Sequence, residues 1–154
     1  MSTATHATPG GATDSAHSRR EYHRQVSPPL PAPRVVLLVD DNASMRALIR
    51  NLLEETGPVV HECADGETAV ELYARVHPDI VLMDMKMGGM GGLAATRAIR
   101  RSDPSARVVI VTEMADDGSR AAAAEAGASG FLPKQNLLDL PALLAGRGEA
   151  GGLA

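Results

Sequence analysis

Large apolar residues along this chain gather in short runs, and between the runs they recur every three or four positions. VVLLV (Val35 to Val39), IVLMD (Ile80 to Asp84) and VVIV (Val108 to Val111) are bounded by turn residues. Such runs are what strands buried on both faces of a parallel sheet look like. Two weaker strand signals lie near Val59 to Glu62 and at Gly130 to Leu132.

The intervening segments read as helices. Met45, Leu48, Ile49, Leu52 and Leu53 lie at i, i+3, i+4, i+7 and i+8, one face of an amphipathic helix that Asp41 or Asn42 can cap and Gly57 can end. After the turn Asp65-Gly66, a second helix points Ala69, Leu72, Tyr73 and Val76 inward and stops at His77-Pro78. A third covers Gly92 to Arg101, with Leu93, Ala95 and Ile99 as its apolar side. An alanine-rich fourth follows Asp116-Asp117-Gly118, over Ser119 to Ala126, with a shallow packing face. Leu137, Leu140 and Leu144 outline a last helix, which Pro141 makes short, kinked or late to start. Five strands alternating with five helices predict an α/β fold, a doubly wound five-stranded parallel sheet covered on both faces. Ligands of such sheets bind beyond the carboxyl ends of the strands.

Length and composition narrow this further. A chain of 154 residues has room for one domain. Residues 1–33 are rich in Ser, Thr, Ala, His, Gly and Pro, end in PPLPAP, and are expected to be a disordered N-terminal tail. Residues 146–154 (GRGEAGGLA) are expected to be a flexible C-terminal tail, leaving 34–145 as the domain. The net charge of −4 is uneven. Residues 1–34 carry four Arg against Asp14 and Glu21, so the rest holds eleven basic and seventeen acidic residues, a net −6. An acidic domain is expected not to bind nucleic acid. The single cysteine, Cys63, reads as a core filler and fits a reducing cytoplasm. No run approaches the roughly 20 apolar residues of a membrane span, and a secretory signal is missing, so a cytoplasmic location without membrane contact is expected.

The candidate chemistry sits where the apolar runs stop: Asp40 and Asp41, Asp84, Thr112 and Lys134. Gly-rich sequence (Met87 to Gly92) follows Asp84 and lets the backbone turn sharply. Three converging carboxylates repel one another by about 4 kcal/mol per pair at 4 Å and an effective dielectric near 20. A hard cation such as Mg²⁺ relieves this through oxygen ligands and neutralises an incoming phosphoryl group, leaving Asp84 as nucleophile. Lys134 adds a positive charge and Thr112 a hydroxyl. Of fifteen basic residues only Lys86 and Lys134 are lysine, and both flank this site.

VDDN (Val39 to Asn42), IVLMDMKM (Ile80 to Met87), VVIVT ending at Thr112, and GASGFLPK (Gly127 to Lys134), in that order on strand ends, resemble the receiver domain of two-component response regulators. The resemblance covers about Arg34 to Leu144. It implies a CheY-like, flavodoxin-like (βα)₅ sheet of order 2-1-3-4-5. It also implies a phosphoprotein rather than an enzyme, one that assists its own phosphorylation and dephosphorylation. Asp84 accepts phosphate from a sensor histidine kinase or a histidine phosphotransfer protein. Asp41, Asp84 and the Lys86 carbonyl then bind Mg²⁺ (Mn²⁺ is an alternative), with Asp40 acting through water. Thr112 and Lys134 hold the phosphoryl group, and Phe131 is the aromatic switch that follows Thr112. Lys86, Glu113 and Met114 occupy rate-modulating positions.

The chain departs from the family at Gly88, where proline is usual, at Gly91, where aspartate is frequent, and at Gln135, where proline commonly follows the lysine. Glu113 stands where a small residue is usual. These glycines predict a floppier loop after Asp84. With 20 residues after Lys134, a stand-alone receiver is expected, signalling to a downstream protein target or relaying phosphate. One alternative is a degenerate receiver that binds a partner without phosphorylation, motivated by Glu113 and the glycines. Another is a phosphohydrolase of the haloacid dehalogenase type. That family places its nucleophile after the first strand and its acidic pair last; here the pair comes first and Lys86 stands two residues beyond Asp84.

Overall fold

The computed structural model describes residues 31–145. Both expected tails lie outside that range except for Pro31 to Pro33, of which Pro33 is buried. The packed region thus includes Pro33, just before the expected boundary. There the Asp79 carboxylate accepts from the backbone N–H groups of Arg34 (2.8 Å) and Val35 (2.9 Å) and fixes the entry into the sheet.

The elements run β1 (Val35–Val39), α1 (Ala43–Leu53), β2 (Val59–Cys63), α2 (Gly66–Val76), β3 (Ile80–Asp84), α3 (Gly92–Ser102), β4 (Val108–Thr112), α4 (Asp117–Glu125), β5 (Gly130–Pro133) and α5 (Leu140–Leu144). The strands are all parallel, in the order β2-β1-β3-β4-β5. Alternate residues of each strand face opposite ways. Leu37, Val39, Val81, Met83, Val108 and Ile110 pack under α2 and α3. Val36, Leu38, Ile80, Leu82, Val109 and Val111 pack under α1 and α5. Every residue of β3 and β4 is buried, as their unbroken apolar runs require.

Local chemistry explains where helices start and stop. Asn42, rather than Asp41, caps α1 by accepting from Met45 N–H at 3.0 Å. Asp65 caps α2 through Thr68. Asp116 caps α4 through Ser119, which draws the helix start back to Asp117 from the expected Ser119. Pro141 sits in the first turn of α5, where its missing N–H has no intrahelical partner to lose. The residues between β5 and α5, Lys134–Asp139, form a 3₁₀ segment that seats Leu137 in the core. One apolar position departs from its expected face: Leu48 on α1 is 47% exposed, while Ile49 and Leu53 are buried over the sheet and Met45 and Leu52 pack beside them.

Candidate functional site

The parallel register sets β1, β3 and β4 side by side and carries their carboxyl ends to one edge. Val39 pairs with Met83, so the next residues, Asp40 and Asp84, emerge together. Thr112 closes β4, and Lys134 follows β5. A cleft of about 220 Å³ opens there. Asp40, Asp41, Asp84, Lys86, Thr112, Glu113, Met114 and Lys134 all line it, so the residues singled out from sequence converge except for Phe131. Asn42 and Met45 also line it; sequence reading assigned them only to the helix cap and the apolar face.

Every polar atom of Asp40 is engaged. Its N–H donates to Cys63 O (3.2 Å), its carbonyl accepts from Arg46 Nη1 (2.6 Å), Oδ1 accepts from Asn42 N–H (2.9 Å), and Oδ2 pairs with Lys134 Nζ (2.8 Å). Lys134 Nζ also lies 3.3 Å from Asp84 Oδ1. The carboxylate repulsion expected from sequence is therefore partly relieved from within, by the lysine set between two of the three. Burial opposes the charge of Lys134, but its hydrogen bond to Asp40 and the charge of Asp84 outweigh that and hold its pKa above the usual lysine range.

Asp84 is 6% exposed. Loss of water around it, then the neighbouring Asp40 charge, push its pKa up to about 6, with Lys134 acting in the opposite sense. Asp41 is exposed. One carboxylate oxygen from each of Asp40, Asp41 and Asp84 can be chosen so that all lie within 4.8 Å of one another. An all-oxygen acidic set of this size suits a hard divalent cation such as Mg²⁺ and not a thiophilic one.

The loop after Asp84 is held at Met90 and Gly92 by contacts that its glycines do not announce. Gly92 is the residue that geometry requires, since a Cβ there would stand 1.9 Å from the Asp84 carbonyl oxygen. Gly92 N–H donates to Met85 O (3.1 Å), and Met90 N–H donates to the Glu67 carboxylate on α2 (2.8 Å). Thr112 is buried, with its Oγ1 accepting from Met114 N–H at 3.1 Å, so the hydroxyl hydrogen is left to donate. Phe131 lies outside the cleft, buried in the core cluster to which α4 contributes Ala123. The Arg120 guanidinium on α4 sits 4.6 Å from its ring centroid. Sequence reading found neither Arg46 nor Arg120, because both act through partners distant along the chain.

A family model, the response regulator receiver domain, matches residues 36–144. The chain belongs to this family. The receiver is 38% identical over 99 residues to the chemotaxis protein CheY of Halobacterium salinarum, a match covering 64% of this chain and 82% of that protein. It is 44% identical over 101 residues to the response regulator UvrY of Escherichia coli, over 64% of this chain and 46% of UvrY, so it spans about half the length of that relative. Among solved structures it resembles a LuxR-family two-component response regulator from Aurantimonas sp., with a TM-score of 0.66 and 41% identity over 73% of this chain and 86% of that one. It also resembles CheY of Borrelia burgdorferi, solved in a complex with CheX, BeF₃ and Mg²⁺, with a TM-score of 0.61 and 27% identity over 64% and 76% of the two chains. Receivers are signalling proteins rather than classical enzymes. They bind Mg²⁺ through acidic residues and take phosphate from histidine kinases. Among the described residues, no helix is long and apolar enough to cross a membrane.

Proposed function

We propose that this receiver accepts a phosphoryl group on Asp84 from the phosphohistidine of a sensor kinase or histidine phosphotransfer protein. The observation that carries the reading is the Asp84 carboxylate in one cleft with two further aspartates, a lysine ammonium and a threonine hydroxyl. An Asp84 oxygen attacks phosphorus, the P–N bond breaks, and the imidazole leaves with the electron pair; the product is an acyl phosphate. Water later attacks phosphorus and returns the carboxylate and inorganic phosphate. Asp84, at about 6, is mostly ionised at neutral pH and so supplies the nucleophile.

Lys134 is placed to follow negative charge from the carboxylate to the phosphoryl oxygens, and Thr112 to donate its hydroxyl hydrogen to one of them. Asp41, Asp84 and the Lys86 carbonyl are the proposed Mg²⁺ ligands. Asp40 acts through water, a role that fits a carboxylate whose two oxygens already hold Asn42 and Lys134. Bound Mg²⁺ supplies charge neutralisation at the transferring phosphoryl group. The likeness to a CheY solved with BeF₃ and Mg²⁺ supports the same assignment. Glu113, exposed at the cleft, together with Lys86 and Met114, tunes the rate by repelling or attracting the incoming donor. Phe131 and Arg120 form the reporting pair on the α4 side, from which a downstream protein reads the state.

The test is intact mass after incubation with Mg²⁺ and acetyl phosphate. A single phosphoryl adduct is expected in the wild type and none in Asp84→Asn. An adduct that persists in the variant would refute the assignment.

A further inference from the structure

The acidic pair of this cleft stands on a segment with unusual support. Asp40 and Asp41 share a peptide plane, and the carbonyl of that plane accepts from Arg46 Nη1 at 2.6 Å. Arg46 belongs to the first turn of α1, where its own N–H donates to Asn42 O (3.0 Å). Its Nε lies 3.5 Å from Glu62 Oε1 on the neighbouring strand β2, and Arg50 Nη1 holds the other Glu62 oxygen at 2.5 Å. The guanidinium thus ties three separate pieces: the end of β1, the start of α1 and strand β2. Asp41, by contrast, is exposed and among the described residues has no side-chain hydrogen-bond partner, so the backbone that carries it decides where its carboxylate lies.

We propose that Arg46 is a positioning residue for the acidic pocket: by holding the Asp40 carbonyl and the Glu62 carboxylate together, it fixes the Asp40–Asp41 peptide plane and thereby sets the affinity for the divalent cation. This rests on the reading of the cleft as a Mg²⁺ site. Arg46 touches neither metal nor phosphate in this role. Its planar fork suits the task, since a hydrogen bond to the Asp40 carbonyl and an ion pair with Glu62 in another direction need a cation of fixed geometry, which a lysine ammonium on a flexible stem does not provide.

The proposal predicts a sign opposite to that of simple electrostatics. Arg46 is a cation near a cation site, so as a mere neighbour its removal tightens Mg²⁺ binding. As a positioning residue its removal weakens binding, because supports of metal ligands typically carry about tenfold or more in affinity. Calorimetric Mg²⁺ titration of the full chain decides between them. Wild type should bind, Arg46→Ala should bind about tenfold more weakly, and Arg46→Lys should fall between, having kept the charge but lost the fork. Leu144→Ala, a core truncation outside the cleft, should lower the unfolding midpoint while leaving Mg²⁺ affinity unchanged, which separates positioning from general destabilisation. Affinity in Arg46→Ala equal to or tighter than wild type overturns the proposal. If circular dichroism shows that Arg46→Ala does not fold, wild-type affinity in Arg46→Lys overturns it instead. A wild type that fails to bind Mg²⁺, or binds it undiminished after Asp41→Asn and Asp84→Asn, overturns the metal reading itself and the proposal with it.

Discussion

Replacing Asp84 by Asn should stabilise the metal-free receiver at neutral pH and leave it unchanged in acid. The ionised Asp84 carboxylate is buried beside Asp40, and its pKa stands at about 6 instead of 3.8. A carboxyl that holds its proton more tightly in the folded than in the unfolded chain favours folding most when protonated. Stability is therefore lost as pH rises from about 4 to about 6 and stays lost above. Each pH unit of that difference is worth about 1.4 kcal/mol, an upper limit near 3 kcal/mol in all. Because the cleft reaches solvent, about 1 to 2 kcal/mol is expected. Asparagine keeps the shape without the charge, and Lys134 retains its partner Asp40 at 2.8 Å. Urea unfolding in EDTA, for both proteins at pH 4 and pH 7.5, measures it. The variant should gain at pH 7.5 and not at pH 4, and saturating Mg²⁺ should narrow the gap by stabilising the wild type alone. A gain independent of pH, or a variant weaker at pH 7.5, would refute the electrostatic account.

Four further outcomes follow from the same geometry. Lys134→Met should cost the metal-free protein about 2 to 3 kcal/mol by urea unfolding, since it leaves Asp40 and Asp84 facing each other, and Mg²⁺ should recover more of that stability than it adds to wild type. Asp79→Ala should cost about 1 kcal/mol at pH 7 through the freed Arg34 and Val35 N–H groups. Those hydrogen bonds, Val35 first, hold the Asp79 pKa low. The loss should therefore fade as the wild-type carboxylate is protonated below about pH 4. Gly92→Ala should lower stability by about 3 kcal/mol or more by forcing a methyl against the Asp84 carbonyl. Gly88→Ala, where a Cβ meets nothing within 4 Å, should stay within about 0.5 kcal/mol of wild type by thermal melting.

What the sequence revealed follows from which interactions are local. Strands buried on both faces announce themselves as apolar runs, and a carboxylate, hydroxyl or ammonium at the end of such a run lies at the edge where the runs end together. Asp84, Thr112 and Lys134 were legible on that basis. The pairing inside the cleft was not. Sequence reading treats Asp40 as a crowded charge whose neutralisation relieves repulsion, whereas its two oxygens hold Lys134 and Asn42 N–H. Asp40→Asn should therefore lower metal-free stability, because loss of the Lys134 ion pair outweighs the relief of its repulsion with Asp84. Periodicity placed Leu48 inward because it marks a face, but how wide a face the sheet covers depends on the strands beneath. Tyr73 OH donates to Asp103 at 2.7 Å across thirty residues, a contact that no local pattern encodes. Leu138, at 83% exposed, follows from the 3₁₀ segment that turns Leu137 inward.

The Glu67 carboxylate that accepts from Met90 N–H gives the glycine loop an order it does not possess by itself. Four of the six residues from Met87 to Gly92 are glycine, a composition that invites proteases and rapid deuterium uptake. Here the Met90 amide should exchange slowly for a loop position. Its protection should vanish with Glu67→Ala, so that the first turn of a helix 23 residues upstream can be monitored from within the loop that follows Asp84.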